Sequence, residues 1–176
     1  MSYELACCVH LIDAGSRIKH TPIDEPKDRE IFLGWEILID QAIESEPQIF
    51  YKPYPVKWSE TSELRKDVQS WLGDELTDER IRRFTPKSLL GKYCNLELVP
   101  LSNDDGEKIL AVKGVAPLPI GIDPATLPKP VSSFRIFTIS EPDMELLESL
   151  PVEIKNQIKN SPEYAWAQKV SDEDCE

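Results

Sequence analysis

Residues 59–84, SETSELRKDVQSWLGDELTDERIRRF, restrict the fold of this chain more than any other stretch. They read as a helix with a start, a buried stripe and a stop. Ser59 is placed to cap the N-terminus, and Glu60 and Glu63 complement the positive end of the helix dipole. Leu64, Val68, Trp71 and Leu72 recur at helical spacing and belong to a core-facing stripe, which Gly73 ends. Thr77 then caps a second short helix through Phe84, and residues 86–90 make one more turn. A helical block with one apolar stripe has to bury it, and strand-like segments lie on both sides.

Upstream, residues 3–12 (YELACCVHLI) are mostly apolar and bounded by residues 13–15, so they read as a first strand. Residues 16–28 carry two prolines and several charges and read as a loop. Residues 30–39 (EIFLGWEILI) form a second strand, with Ile31, Leu33, Trp35, Ile37 and Ile39 on one face. Gly34 within that strand marks a bulge or a close backbone approach. Residues 48–58 (QIFYKPYPVKW) are a third extended segment, which its two prolines confine to an edge or make irregular at its far end. Downstream, residues 92–101 and 108–116 are strands four and five, joined by the NDDG turn at residues 103–106.

Three strands, a helix and two more strands are the order of an OB-fold barrel. The expected fold is therefore mainly β with helices, an α+β chain built on an OB-like five-stranded barrel. Its helices lie between strands three and four, and a Pro-rich extension follows. Residues 1–116 make the barrel domain. Residues 117–170 add a strap with five prolines up to residue 130, a short strand near residues 133–139, and helices at 143–150 and 152–160 that pack on the barrel. Residues 171–176 (SDEDCE) read as an acidic, disordered tail.

Charge argues about partners. The net charge is −12, yet residues 51–100 carry nine Lys/Arg against eight Asp/Glu, whereas residues 1–50 carry four against ten. Exposed charges are screened beyond roughly 8–10 Å, so only this middle third offers an electrostatic footprint for phosphate. The overall field disfavours non-specific binding to duplex DNA.

Within that third, aromatic and basic residues interleave. Tyr51, Tyr54 and Trp58 alternate with Lys52 and Lys57; Arg65, Lys66, Arg80, Arg82, Arg83, Lys87 and Lys92 follow. Single-strand binders use flat side chains to stack bases and cations to follow phosphates, each stacked base contributing about 1–3 kcal/mol. The opposing reading is structural. Trp71 and Phe84 belong in a core, and half of the cations can pair with Glu60, Glu63, Asp67, Asp78 and Glu79.

No catalytic constellation appears. His10 and His20 have no nearby nucleophile, and His10 lies inside an apolar strand. Cys7, Cys8, Cys94 and Cys175 form no CxxC pair, so neither a zinc knuckle nor a routine disulfide is expected. Asp104–Asp105 belong to a turn and Asp172–Asp174 to a tail, so both read as solvated acidic surface rather than metal ligands. The chain reads as a non-enzyme without a cofactor or metal. Nothing resembles a signal peptide and no apolar run approaches about 18 residues, so a cytoplasmic protein without membrane contact is expected.

Four segments carry a family resemblance: IFLGWEI at residues 31–37, SETSELRKDVQSWLG at 59–73, SLLGKYC at 88–94 and SPEY at 161–164. Together they make the chain resemble a family of small OB-fold, single-stranded-DNA-binding-like replication proteins of phages and mobile elements. The helix is similar to that family's S-x(n)-LRKxLxxWxG segment, and the four segments together span roughly residues 30–165. The resemblance implies structural roles for Leu64, Trp71 and Gly73 and an exposed basic pair at Arg65 and Lys66. Two features depart from it: Pro53 and Pro55 after the second strand, and the strongly negative charge.

Two functions follow as expectations. One is a single-stranded DNA binder of phage or mobile-element replication or recombination, with other replication proteins and a homo-oligomer as further partners. The other is an acidic protein–protein module, an inhibitor or DNA mimic directed at a host nuclease or defence complex.

Overall fold

The long first strand organises everything else. In the computed structural model, which describes residues 2–17, 29–38, 46–73 and 77–173, β1 runs from Ser2 to Ser16. It continues through the residues 13–15 expected to end it. Register shifts between Cys8 and His10 and between Asp13 and Gly15 let it bend rather than stop. One edge of β1 pairs antiparallel with β2 (Arg29–Ile37), from Ala6 opposite Ile37 to Ser16 opposite Arg29. Its other edge is shared. Ser2 to Cys7 pair antiparallel with β4 (Tyr93–Ser102), and His10 to Ile12 pair parallel with β6 (Arg135–Phe137).

The strand β3 (Ile49–Pro55) pairs with β2, and β5 (Lys108–Ala116) pairs with β4. The fold is thus mixed α+β on a six-stranded sheet in the order β3-β2-β1-β4-β5, with β6 added beside β1. The described residues form no ladder between β3 and β5, the two ends of that order. A side chain spans the seam instead: Lys52 Nζ on β3 donates to the Lys113 carbonyl on β5 at 2.9 Å.

Helix α1 (Glu63–Leu72) covers one face of the sheet. Its cap is Ser62, not Ser59. Residues 59–62 form a turn closed by Ser62 N–H to the Ser59 carbonyl, and Ser62 Oγ accepts from Arg65 N–H at 3.3 Å. Gly73 ends the helix at φ 68°. Leu64, Val68 and Trp71 pack onto Ile31, Leu33, Trp35 and Ile37 of β2 and onto Cys94, Leu96 and Leu98 of β4. The alternation of β2 thus reads correctly, except that Ile39 lies outside the described residues. A short helix α2 (Asp78–Arg83), capped by Thr77, and a 3-10 turn at Pro86–Leu89 lead into β4.

The opposite face of the bent half of β1 is also covered. Ile12, Ala14 and Phe32 meet Phe137 of β6 and a layer of helices. These are α3 (Met144–Ser149) and α4 (Val152–Lys159), which contribute Leu146, Leu147, Ile154 and Ile158. Burial of β2 on both sides makes every residue from Ile31 to Ile37 a buried one. A third helix, α5 (Pro162–Glu173), was not legible in the sequence. It runs into the stretch expected to be a disordered tail, while residues 174–176 lie outside the described residues. So does the greater part of the loop expected at 16–28.

Helix α5 starts on β1. Ser161 Oγ accepts from Tyr164 N–H at 3.2 Å, and Glu163 accepts from the Ser16 amide at 2.9 Å and from the Ser16 hydroxyl. Gly15 lies under this junction at φ 68°, where a Cβ would stand 2.7 Å from Ser161 Cβ. Only glycine accommodates both the backbone angle and the approach. Among the described residues no helix is long and apolar enough to cross a membrane.

Candidate nucleic-acid interface

Strand β3 alternates, and the alternation divides the expected stacking residues. Lys52 and Tyr54 point to the α1 side and Tyr51 to the other. Tyr54 is fully buried, and its hydroxyl donates to Asp67 Oδ2 on α1 at 2.7 Å. Burial, reinforced by the neighbouring Asp67 carboxylate, pushes its phenol far above the ordinary range. Lys52 is buried beside it. Its ammonium meets Asp67 Oδ2 at 2.7 Å, Glu63 Oε1 at 2.9 Å and the Lys113 carbonyl, and lies 5.2 Å from the Tyr54 ring centroid. All of its donor capacity is turned inward.

Tyr51 is half-buried and lies across Gly34. A Cβ on Gly34 would stand 2.7 Å from the Tyr51 ring, so the glycine in this strand serves close approach. The Tyr51 hydroxyl bonds His10 Nδ1 at 2.7 Å. Burial raises the Tyr51 phenol and lowers His10, with Arg135 pushing His10 the same way and Glu36 opposing. Trp58 packs edge-on against Phe84, ring centroids 5.1 Å apart, and its carbonyl accepts from the buried Arg65 guanidinium at 3.2 Å. Arg65 also reaches Asp78 at 3.6 Å, tying α1 to the start of α2.

These contacts correct the expected site. Tyr54, Lys52 and Arg65 are interior residues with no face for a base or a phosphate. Tyr51 and Trp58 spend most of their ring surface on packing. Arg65 is therefore not half of an exposed basic pair, although Lys66 beside it is exposed. The physical reason is that α1 places Asp67 over β3, and a carboxylate at that depth needs partners.

The remaining seven cations are exposed. They are Lys57 after β3, Lys66 on α1, Arg80, Arg82 and Arg83 on α2, Lys87 in the 3-10 turn and Lys92 before β4. All belong to the connection between β3 and β4. Glu79 shares this surface and pairs with Arg83 at 3.4 Å.

The most exposed aromatic side chains lie elsewhere, outside the basic third. Tyr3 is 60% exposed, Phe134 54% and Trp166 69%. Trp166 of α5 lines, with Arg29, Ile139, Pro162, Glu163 and Ala167, an open cleft of about 430 Å³. The Arg29 guanidinium is held on Asp13, and that hydrogen bond raises its pKa. Burial acts to raise Glu163, but the hydrogen bonds from Ser16 hold it below the usual carboxylate value. Sequence reasoning missed Trp166 because α5 itself was missed.

The Pro-rich strap crosses the sheet face turned away from α1. Glu36, Cys7 and Tyr93 form one cross-strand row over β2, β1 and β4. Glu36 is 3% exposed and accepts the Val131 and Ser132 amides at 2.7 and 2.8 Å. The Tyr93 hydroxyl donates to the Pro128 carbonyl at 3.2 Å, and Asn95 donates to the Pro117 carbonyl at 3.2 Å. Side chains of the sheet thus hold the backbone of the strap, leaving Ile120, Val131 and Phe134 exposed. Among the described residues no group of three or more His, Cys, Asp or Glu side chains is arranged to hold a metal ion.

Comparison of the chain with protein-family models, with curated proteins and with solved structures finds no match.

Proposed function

We propose that this chain is a non-catalytic single-stranded DNA binder of phage or mobile-element replication or recombination, acting in the cytoplasm. The observation that carries the reading is that Lys57, Lys66, Arg80, Arg82, Arg83, Lys87 and Lys92 are all exposed on the β3–β4 connection, beside exposed Glu60, Glu63, Asp78 and Glu79, in a chain whose net charge is −12. Exposed cations on one connection can follow phosphates without reading sequence.

The strand arrangement supports the finer, OB-like reading of the fold. A long, bent β1 pairs with both β2 and β4, a helix fills the base between β3 and β4, and Lys52 joins β3 to β5. Stacking falls to the exposed rings, Trp166 first, rather than to Tyr51, Tyr54 and Trp58. Four aromatic indoles allow a direct test, because Trp35 and Trp71 are buried and Trp58 is packed, whereas Trp166 is in solvent. Titration with oligothymidine of about 30 residues is expected to quench Trp166 at low salt and to lose that effect in Trp166→Phe. Duplex DNA of equal length serves as the control. Absence of quenching and of any change in anisotropy of labelled oligonucleotide at low salt refutes the reading.

A second reading, an acidic protein–protein module, has its own observation. Asp104, Asp105 and Glu107 are exposed at the β4–β5 turn, and Glu145, Glu148 and Glu153 are exposed on α3 and α4. This reading expects no DNA affinity and salt-sensitive binding to a cationic partner.

A further inference from the structure

The β4–β5 hairpin runs beyond the rest of the sheet. The β1 ladder ends where Ser2 faces Leu98, and past that point β4 and β5 have, among the described residues, no strand partner but each other. Leu101 opposite Ile109 and Pro100 opposite Leu110 make up the projecting part. Leu101 and Leu110 are each 51% exposed and Ile109 is 48% exposed.

The two free edges of this hairpin differ. That of β4 carries Pro100, which has no N–H and blunts the edge. That of β5 carries no proline between Lys108 and Val112. The ladder phase says which groups it presents. Asn103 N–H donates to the Glu107 carbonyl at 2.9 Å, so these two form a bonded pair. Alternation then makes Leu101–Ile109 and Val99–Ala111 bonded pairs as well. Lys108, Leu110 and Val112 therefore turn their N–H and C=O groups away from β4; Lys108 and Leu110 are exposed there, while the Val112 side chain is buried beneath α1.

We propose that this edge pairs antiparallel with the same edge of a second copy of the chain, about a two-fold axis at Leu110. The argument for a second copy is self-complementarity. With Leu110 opposite its own equivalent, Lys108 faces Val112 of the second copy, so all three outward-facing residues find bonded partners. In the same register Glu107 of each copy faces Lys113 of the other, so opposite charges meet twice. Lys113 is available for this, since its side chain is 59% exposed while resting on Glu97. The length also closes. Lys52 occupies the Lys113 carbonyl at one end of the open edge, and the 103–106 turn ends the strand at the other. The acidic turn disfavours nucleic acid as the occupant, because Asp104, Asp105 and Glu107 would face phosphates.

Sedimentation equilibrium of the full chain tests the proposal, independently of any DNA affinity. A dimer is expected, and Leu110→Lys is expected to give a monomer with unchanged circular dichroism and melting temperature. Glu107→Lys and Lys113→Glu, made singly, should each weaken dimerisation about fivefold. The double variant Glu107→Lys/Lys113→Glu should restore it, because the exchanged charges face each other again. A chain that stays monomeric at about 100 μM, some hundredfold above a micromolar Kd, overturns the proposal. So does a dimer that Leu110→Lys leaves intact, or a double variant no tighter than the single ones.

Discussion

Lys52 on β3 and Asp67 on α1 form an inward-facing ion pair, Nζ to Oδ2 at 2.7 Å, which Tyr54 joins through its hydroxyl. The pair fastens the helix across the seam where β3 approaches β5. Removing one member leaves the other desolvated without its main partner, which costs more than the pair itself contributes. Asp67→Ala is expected to lower stability by about 3 kcal/mol in urea unfolding. Lys66→Ala, one residue away and exposed, should stay within about 0.5 kcal/mol. A loss below about 0.5 kcal/mol for Asp67→Ala would show that the pair does not hold the seam.

His10 gives a pH dependence with a definite sign. Burial lowers its pKa from the ordinary 6.5, so the unfolded chain takes up a proton before the folded chain does. Stability from this residue is complete above pH 6.5, falls as pH drops below that value, and levels off under the folded-state pKa. In His10→Gln this component of the slope below pH 6.5 should vanish. Thermal melts of both proteins across that window check it.

Glu36 is the anchor of the strap, since its carboxylate accepts two backbone amides 95 and 96 residues away. Glu36→Ala removes two charge-assisted bonds and is expected to cost about 3 kcal/mol. Hydrogen exchange at Val131 and Ser132 should accelerate together in the variant. Unchanged protection there would mean that packing, not the carboxylate, holds the strap.

Gly15→Ala tests the docking of α5. A methyl group there meets Ser161 at 2.7 Å on a backbone at φ 68°. The expected loss is about 2 kcal/mol or more, from the left-handed backbone and the contact together. Hydrogen exchange at the Ser16 amide, which Glu163 holds at 2.9 Å, reports on the event, since it should accelerate if α5 leaves β1.

For the proposed DNA affinity, Lys66→Ala, Arg82→Ala, Lys87→Ala and Lys92→Ala should weaken binding to all sequences alike. Each residue that meets a phosphate should reduce the slope of log K against log salt by about 0.7. Equal slopes in the parent and the fourfold variant would exclude the β3–β4 connection as the phosphate track.

Local periodicity made much of the fold legible. The alternation of Ile31, Leu33, Trp35 and Ile37, the stripe of Leu64, Val68 and Trp71, and the Thr77 and Gly73 caps each depend on neighbours a few residues away. Such signals survive in a bare sequence because helix and strand periods are local. The α1 cap moved to Ser62 because Ser59 and Thr61 offer the same chemistry, and only the turn geometry chooses among them. Helix α5 escaped notice because its stripe is interrupted by exposed Trp166 and its length depends on the anchor at Ser16.

The site was legible only as composition. Alternation says that Lys52 and Tyr54 share a face, but not that α1 covers it. It says equally little of Glu36, whose partners arrive from the strap. Whether a cation reaches solvent or a buried carboxylate depends on which distant segment packs above it, and desolvation then fixes the pairing. The sequence by itself determined the strands, the helix stripe and the basic bias of the β3–β4 connection. Tertiary packing alone decided that Lys52, Tyr54 and Arg65 are interior and that Trp166 faces solvent.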